Sequence, residues 1–142
     1  MEKIEKIKKI FKREGLDGYI IPKNDEFFGE YIPDHNDRLN FISSFSGSYG
    51  FALILKDKNY LFVDGRYTLQ ANNQSKTNFE VITIPDKMPS DILKRRKLLI
   101  GFDPNLFTKK SISIFFGKSG CKYEPILKNL VDEIWKRKIK NN

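Results

Sequence analysis

His35 is the only histidine in the sequence, and a chain with one imidazole supports few hydrolytic mechanisms. A triad of serine, histidine and aspartate would have to use it, with Ser48 of Gly47-Ser48-Tyr49-Gly50 as nucleophile. That segment lacks the Gly-x-Ser-x-Gly pattern and precedes a strand-like run, whereas a nucleophile elbow needs a strand before it and a helix after. It reads instead as a backbone turn, with glycine supplying φ values that other residues avoid. Asp34, His35, Asn36 and Asp37 gather polar donors, but four adjacent residues cannot all point at one ion, and the glycine and terminal glutamate of a calcium loop are missing. A solvated turn is expected there. Gly65-Arg66 after Asp64 is too short to cradle phosphate, and no Gly-x-Gly-x-x-Gly or Walker pattern occurs. Cys121 is the single cysteine, which excludes an internal disulfide and a thiolate-rich metal site and agrees with a reducing compartment. No catalytic, cofactor-binding or metal-ligating set is expected within this chain.

Three features point to binding rather than catalysis. Asp64-Gly65-Arg66-Tyr67 falls where a strand gives way to a helix, an end of a sheet from which side chains can be aimed at a partner or ligand. The planar fork of Arg66 can hold a carboxylate by two hydrogen bonds; the competing reading is a salt bridge to a nearby acid such as Asp37. The second feature is Glu30-Tyr31-Ile32 with Asp37-Arg38, a mixture of aromatics and charges in the least regular part of the chain. The third is Trp135 beside Asn129-Leu130-Val131-Asp132, an aromatic placed to anchor a terminal helix to the core or to a following domain. The candidate substrate or interface residues are therefore Arg66, Tyr67, Asp37, Arg38 and Tyr31.

These residues need elements to position them. Ile4, Ile7, Ile10 and Phe11 form one stripe of a helix that Gly15 is placed to end. Leu16–Ile21, closed by Pro22, reads as a first strand. Between Lys23 and Ser48 short helices are expected at Asp25–Glu30 and Arg38–Phe45. Tyr49–Leu55 and Asn59–Val63, separated by Lys56-Asp57-Lys58, suit an antiparallel hairpin. A helix over Arg66–Asn73, a strand over Phe79–Ile84, a short helix over Pro89–Arg96 and a strand over Leu98–Phe102 follow. Thr108 can cap a helix running to Phe116. Cys121–Glu124 reads as an edge strand and Leu127–Lys138 as a last helix with Leu127, Leu130, Val131 and Ile134 on its apolar stripe. This order predicts an α/β fold, a mixed sheet covered by helices on both faces.

At 142 residues the chain has the length of one domain, and 39% hydrophobic content with 12 Phe and 6 Tyr supplies a core without any apolar run of membrane-spanning length. The opening Met1-Glu2-Lys3-Ile4-Glu5-Lys6 is not a signal peptide. A cytoplasmic location and no membrane partner are expected. The net charge of +8 raises nucleic-acid binding as an alternative. Fourteen of the 26 basic residues, however, fall in Lys3–Arg13, Lys94–Lys97 and Lys136–Lys140, and the first stretch is interleaved with glutamates as on a solvated helix face. The abundance of Lys, Ile and Asn also follows from an A/T-rich codon preference, so no nucleic-acid partner is expected. The basic tail from Lys136 to Asn142 reads as the start of a linker.

Taken in order, Glu30-Tyr31-Ile32, Asp37-Arg38-Leu39, Phe41-Ile42-Ser43, Phe45 to Gly50, Asp64-Gly65-Arg66-Tyr67 with Leu69-Gln70-Ala71, Ile100 to Pro104 and Asn129 to Trp135 resemble the N-terminal domain of the Xaa-Pro aminopeptidases (aminopeptidase P). This is the creatinase and prolidase type of module that precedes a "pita-bread" metallopeptidase domain. The sequence departs from the family pattern at Ser44, where glycine is usual, at Tyr49, where a small residue is usual, and in lacking a proline soon after the last helix. The resemblance implies a three-layer α/β/α module, with a mixed five- to six-stranded sheet of ribonuclease-H-like topology, over residues 1–135. It further implies that two metal ions, usually manganese, are bound by carboxylates and histidine of a C-terminal catalytic domain beyond 136–142, and that none is bound here. The module would act without catalysis, narrowing access to the cleft and helping homodimer contacts, with Arg66 reaching toward the peptide substrate at the domain interface. A stand-alone nucleic-acid-binding module and a free-standing regulator of a peptidase are the alternatives.

Overall fold

The computed structural model describes residues 2–23, 32–117 and 119–136. The expected helix Asp25–Glu30, Tyr31 and the tail from residue 137 onward lie outside them.

Helix α1 (Glu2–Glu14) buries Ile4, Ile7, Ile10 and Phe11 along one face. It stops as the sequence predicts. Gly15 takes a φ of 70°, which glycine adopts without steric cost, and the N–H of Leu16 donates back to the Phe11 carbonyl at 2.9 Å, closing the helix end. Strands β1 (Gly18–Pro22), β2 (Phe51–Leu55) and β3 (Asn59–Asp64) form an antiparallel meander. β4 (Glu80–Ile84) adds parallel to β3, while β5 (Leu99–Phe102) and β6 (Lys122–Pro125) add parallel on the other side of β1. The sheet order is β4-β3-β2-β1-β5-β6, and β2 alone runs against its five neighbours. Meander, then parallel additions beyond β1, is the ribonuclease-H-like arrangement, here with β4 as an extra edge strand.

Side chains of a strand alternate between faces, and the sheet accordingly separates two cores. Tyr19, Ile21, Ala52, Ile54, Leu61 and Val63 pack under α1, α2 (Arg38–Ser43), α3 (Thr68–Ser75) and α6 (Leu130–Ile134). Ile20, Leu53, Phe62, Ile82 and Ile100 pack against Leu93, which follows α4 (Pro89–Ile92), and against Ile112 and Phe116 of α5 (Lys109–Phe116). This is the three-layer α/β/α module expected from the sequence, with all six strands present.

Several boundaries differ from expectation: β1 and β2 start two residues late, at Gly18 and Phe51, and α2 ends at Ser43 rather than Phe45. The helix over Arg66–Asn73 is divided: Gly65–Tyr67 form a 3-10 turn and α3 begins at Thr68. The helix expected over Pro89–Arg96 stops at Ile92, and Arg95 takes a φ of 65°. The last helix does not start at Leu127, which is 86% exposed and faces away from the core. Asn129 accepts the N–H of Val131 at 2.9 Å and so caps a helix that starts at Leu130. Gly47 and Gly50 are not in the left-handed region, contrary to the turn expected there; they are needed because Phe45 lies against them.

Candidate functional site

The parallel strands β1, β3, β4, β5 and β6 end on one rim of the sheet, and every candidate residue within the described set lies on that rim. Asp64 ends β3 and its carboxylate accepts the N–H of Arg66 at 2.9 Å, which turns the chain sharply at the strand end. The same carboxylate takes Arg66 Nη2 at 2.9 Å and Nε at 3.3 Å. One edge of the guanidinium is therefore occupied. Nη1 has no partner among the described residues, and the side chain is 77% exposed, so a second edge of the fork points outward. The Arg66 guanidinium holds the Asp64 carboxyl below its ordinary range, and the carboxylate raises the Arg66 pKa in return.

Tyr67 fixes this turn from beneath. Its ring lies 5.3 Å from the Arg66 guanidinium and edge-on to Phe45 at 6.1 Å, and its hydroxyl meets that of Ser48. The loop carrying Ser48 is tied to α3 through Ser46, whose N–H donates to Gln74 at 3.0 Å and whose hydroxyl accepts from Gln70 and Gln74 at 3.1 and 2.8 Å. Beside Arg66 stand two exposed apolar side chains, Tyr49 at 37% and Leu69 at 76%. Burial and the nearby Asp64 charge push the Tyr49 phenol up. The rim therefore carries a cation with a free fork edge together with an exposed aromatic and an exposed aliphatic side chain, a surface suited to holding a carboxylate or a peptide.

Asp37 and Arg38 sit on the same rim but are committed inward. Asp37 is 8% exposed; it caps α2 by accepting the Asn40 N–H at 3.1 Å and pairs with Lys23 at the end of β1. Arg38 is 3% exposed and forks onto Asp132 of α6, through Nε at 2.9 Å and Nη2 at 3.1 Å. The acid partner of Arg66 is thus Asp64, and the pair Arg66–Asp37 considered from the sequence is not formed. Lys23 and Asp132 were not legible as partners, because their separations along the chain give no local signal.

Next to them lies a buried network that sequence reasoning did not assign. Asp103, following β5, accepts Asn105 N–H and Asn129 Nδ2, both at 2.8 Å. Leu130 N–H approaches the Tyr19 hydroxyl at 3.4 Å. Burial, reinforced by Asp103 and Asp132, pushes the Tyr19 phenol far above its ordinary value. With the face-to-face stack of Trp135 on Phe41 at 4.6 Å, these contacts hold α6 against β1, β5 and α2. The sequence signal was Asp103-Pro104 and the cap at Asn129.

His35 is exposed on a 3-10 turn, and among the described residues no three His, Cys, Asp or Glu side chains come together as metal ligands. The donor set on this rim does not fit a metal pair: Asp37, Asp64, Asp103 and Asp132 are each turned to a different cation or amide. No helix among the described residues is long and apolar enough to cross a membrane.

Residues 3–115 match the family model of the Creatinase/Prolidase N-terminal domain. The chain is 34% identical over 139 residues to the probable Xaa-Pro aminopeptidase P of Coprinopsis cinerea, a match covering 91% of this chain and 22% of that one. Its fold superposes with a TM-score of 0.83 on the crystal structure of X-prolyl aminopeptidase from Caenorhabditis elegans, described as a cytosolic enzyme with a di-nuclear active site, at 32% identity over 94% of this chain and 25% of that one. It also matches the N-terminal domain of the cytoplasmic peptidase PepQ from Mycobacterium tuberculosis, at 21% identity and a TM-score of 0.72, over 94% and 98% of the two chains. The chain thus spans about a fifth to a quarter of the length of its full-length relatives. It belongs to the Creatinase/Prolidase N-terminal domain family.

Proposed function

We propose that this chain is the non-catalytic N-terminal domain of an Xaa-Pro aminopeptidase, the enzyme that hydrolyses the bond between an N-terminal residue and a following proline. The observation that carries the reading is the one-sided rim. Arg66 offers an outward fork edge on a rim that also exposes Tyr49 and Leu69, and among the described residues no set of His, Cys, Asp or Glu side chains converges there as metal ligands. The likeness to proteins named Xaa-Pro aminopeptidase, each far longer than the matched region, supports the same conclusion. The reaction then belongs to a C-terminal domain that would hold two divalent ions, with manganese the expected metal, where they would supply an activated water for attack on the peptide bond.

In this arrangement Arg66 and Tyr67 form the wall facing the peptide substrate; Tyr31, a further candidate, lies outside the described residues. Asp37 caps α2, and Arg38 ties α2 to α6 through Asp132. The domain narrows the cleft and contributes to dimer contacts in a cytoplasmic enzyme.

The test is to assay release of the N-terminal residue from an Ala-Pro-Ala peptide with added Mn²⁺. The 142-residue chain alone is silent, and the same chain joined to the polypeptide that follows residue 142 is active. Hydrolysis by the chain alone, or none by the extended protein, overturns the proposal.

A further inference from the structure

Basic side chains are concentrated on the rim opposite Arg66. There the β2–β3 turn presents Lys56, Asp57 and Lys58, Lys76 precedes β4, Arg96 and Lys97 precede β5, and Lys122 opens β6. Lys8 joins them from α1, its ammonium donating to the Lys56 carbonyl at 3.3 Å. Among the described residues the carboxylates at this end are engaged: Asp17 by Lys56 at 3.3 Å, Glu80 by Lys58 at 2.6 Å, Asp57 by Arg96 at 3.4 Å and Glu14 by Arg13 at 3.3 Å. Lys8, Lys76, Lys97 and Lys122 form no ion pair among the described residues. On the Arg66 rim the balance shifts toward acid, with Asp34, Asp37, Asp64, Asp86, Asp103 and Asp132 set against Lys3, Lys23, Arg38, Arg66 and Lys87. A codon preference for lysine would load both rims alike, so it does not account for this separation.

We infer that the basic rim docks an acidic polypeptide segment. Six strands spaced about 4.8 Å apart make a rim about 24 Å wide, which an extended chain rising about 3.3 Å per residue crosses in about seven residues. A segment with several Asp or Glu side chains in that span meets the unmatched lysines one by one. A nucleic acid fits less well. Tyr60 and Phe79 at this end are buried, and the half-buried Tyr123 beside Lys122 is packed against Phe116, so little is offered for base stacking. Asp17, Asp57 and Glu80, set between the cations, interrupt the track a continuous phosphate backbone needs. This surface is separate from the Arg66 patch and does not depend on the peptidase reading.

The experiment is an amide-NMR titration of the 142-residue chain with a synthetic octaglutamate peptide, at about 50 mM and about 300 mM salt. Shifts are expected at residues 56–58, 76–80, 96–98 and 121–122, with affinity falling at least about fivefold at the higher salt. Lys97→Glu combined with Lys122→Glu, both exposed, weakens binding about tenfold, while Lys87→Glu combined with Lys110→Glu, of equal charge and off the rim, weakens it less than about twofold. Equal losses in the two double variants would reduce the effect to net charge and overturn the proposal. So would the absence of shifts at low salt, or an oligothymidylate of equal charge binding this rim more tightly than the peptide.

Discussion

Gly47 is where one methyl group should do the most damage. A Cβ there would stand 2.2 Å from Phe45 Cζ, with the two Cε atoms at 2.8 and 3.0 Å, well inside carbon–carbon contact. Phe45 is 0% exposed and Gly50 also lies against its ring, so the ring has little free space to retreat into. Either the ring leaves its seat or the loop lifts. Overpacking of this kind costs about 1–3 kcal/mol, and partial exposure of the ring adds to it, so Gly47→Ala should destabilise the domain by about 2–3 kcal/mol. For a chain of this length that is a fall in Tm of about 6–10 °C. Because Phe45 stands edge-on to Tyr67, the same displacement loosens the turn that carries Arg66. Thermal and urea unfolding followed by circular dichroism measure the loss. Gly65→Ala is the control, since its Cβ meets nothing within 4 Å. If the two variants melt within about 2 °C of each other, the close seating of Phe45 is wrong.

Ser44 occupies the left-handed region with a φ of 65° at the end of α2, so Ser44→Gly should stabilise by up to about 1 kcal/mol, read as a higher urea midpoint; a lower midpoint would contradict the strain. Asn129→Ala removes both the cap of α6 and one of the two donors to Asp103, and should cost about 2 kcal/mol in chemical denaturation, a loss under about 0.5 kcal/mol counting against the network. Burial pushes the Tyr123 phenol up to about 12, against an ordinary value near 10. The folded state therefore holds this proton more tightly than the unfolded chain does. Its contribution to stability is complete below pH about 10 and is lost as the pH rises through about 12. In Tyr123→Phe the alkaline decline should be shallower, and an unchanged slope would refute the assignment.

What was legible in the sequence was local. Strands stood out because Pro22, Asp64-Gly65 and Pro85 bound short β-branched and aromatic runs, and α1 because its isoleucines recur at helical spacing above Gly15. Leu127 misled because it continues the apolar spacing of Leu130, Val131 and Ile134. Nothing in that periodicity registers that Asn129 starts the helix by accepting the Val131 N–H. Arg66 was legible as the residue of interest, but its partner was sought at Asp37 when the Asp-x-Arg spacing already places Asp64 within reach. Arg38 and Asp132 lie 94 residues apart, and only the folded sheet brings them together. Gly47 and Gly50 were read as turn-formers when their role is the close approach of Phe45, a contact that depends on where a ring packs. The separation of basic and acidic rims was invisible for the same reason, since it arises from strand direction and order.

The central claim is that this domain shapes access to a peptidase cleft from its Arg66 rim without performing chemistry. The most direct test is steady-state hydrolysis of Xaa-Pro peptides by the extended, metal-loaded protein, with and without Arg66→Ala. The account predicts a KM about tenfold higher on longer peptides, with kcat changed less than about twofold. A loss confined to kcat, or identical constants for the two proteins, would contradict it.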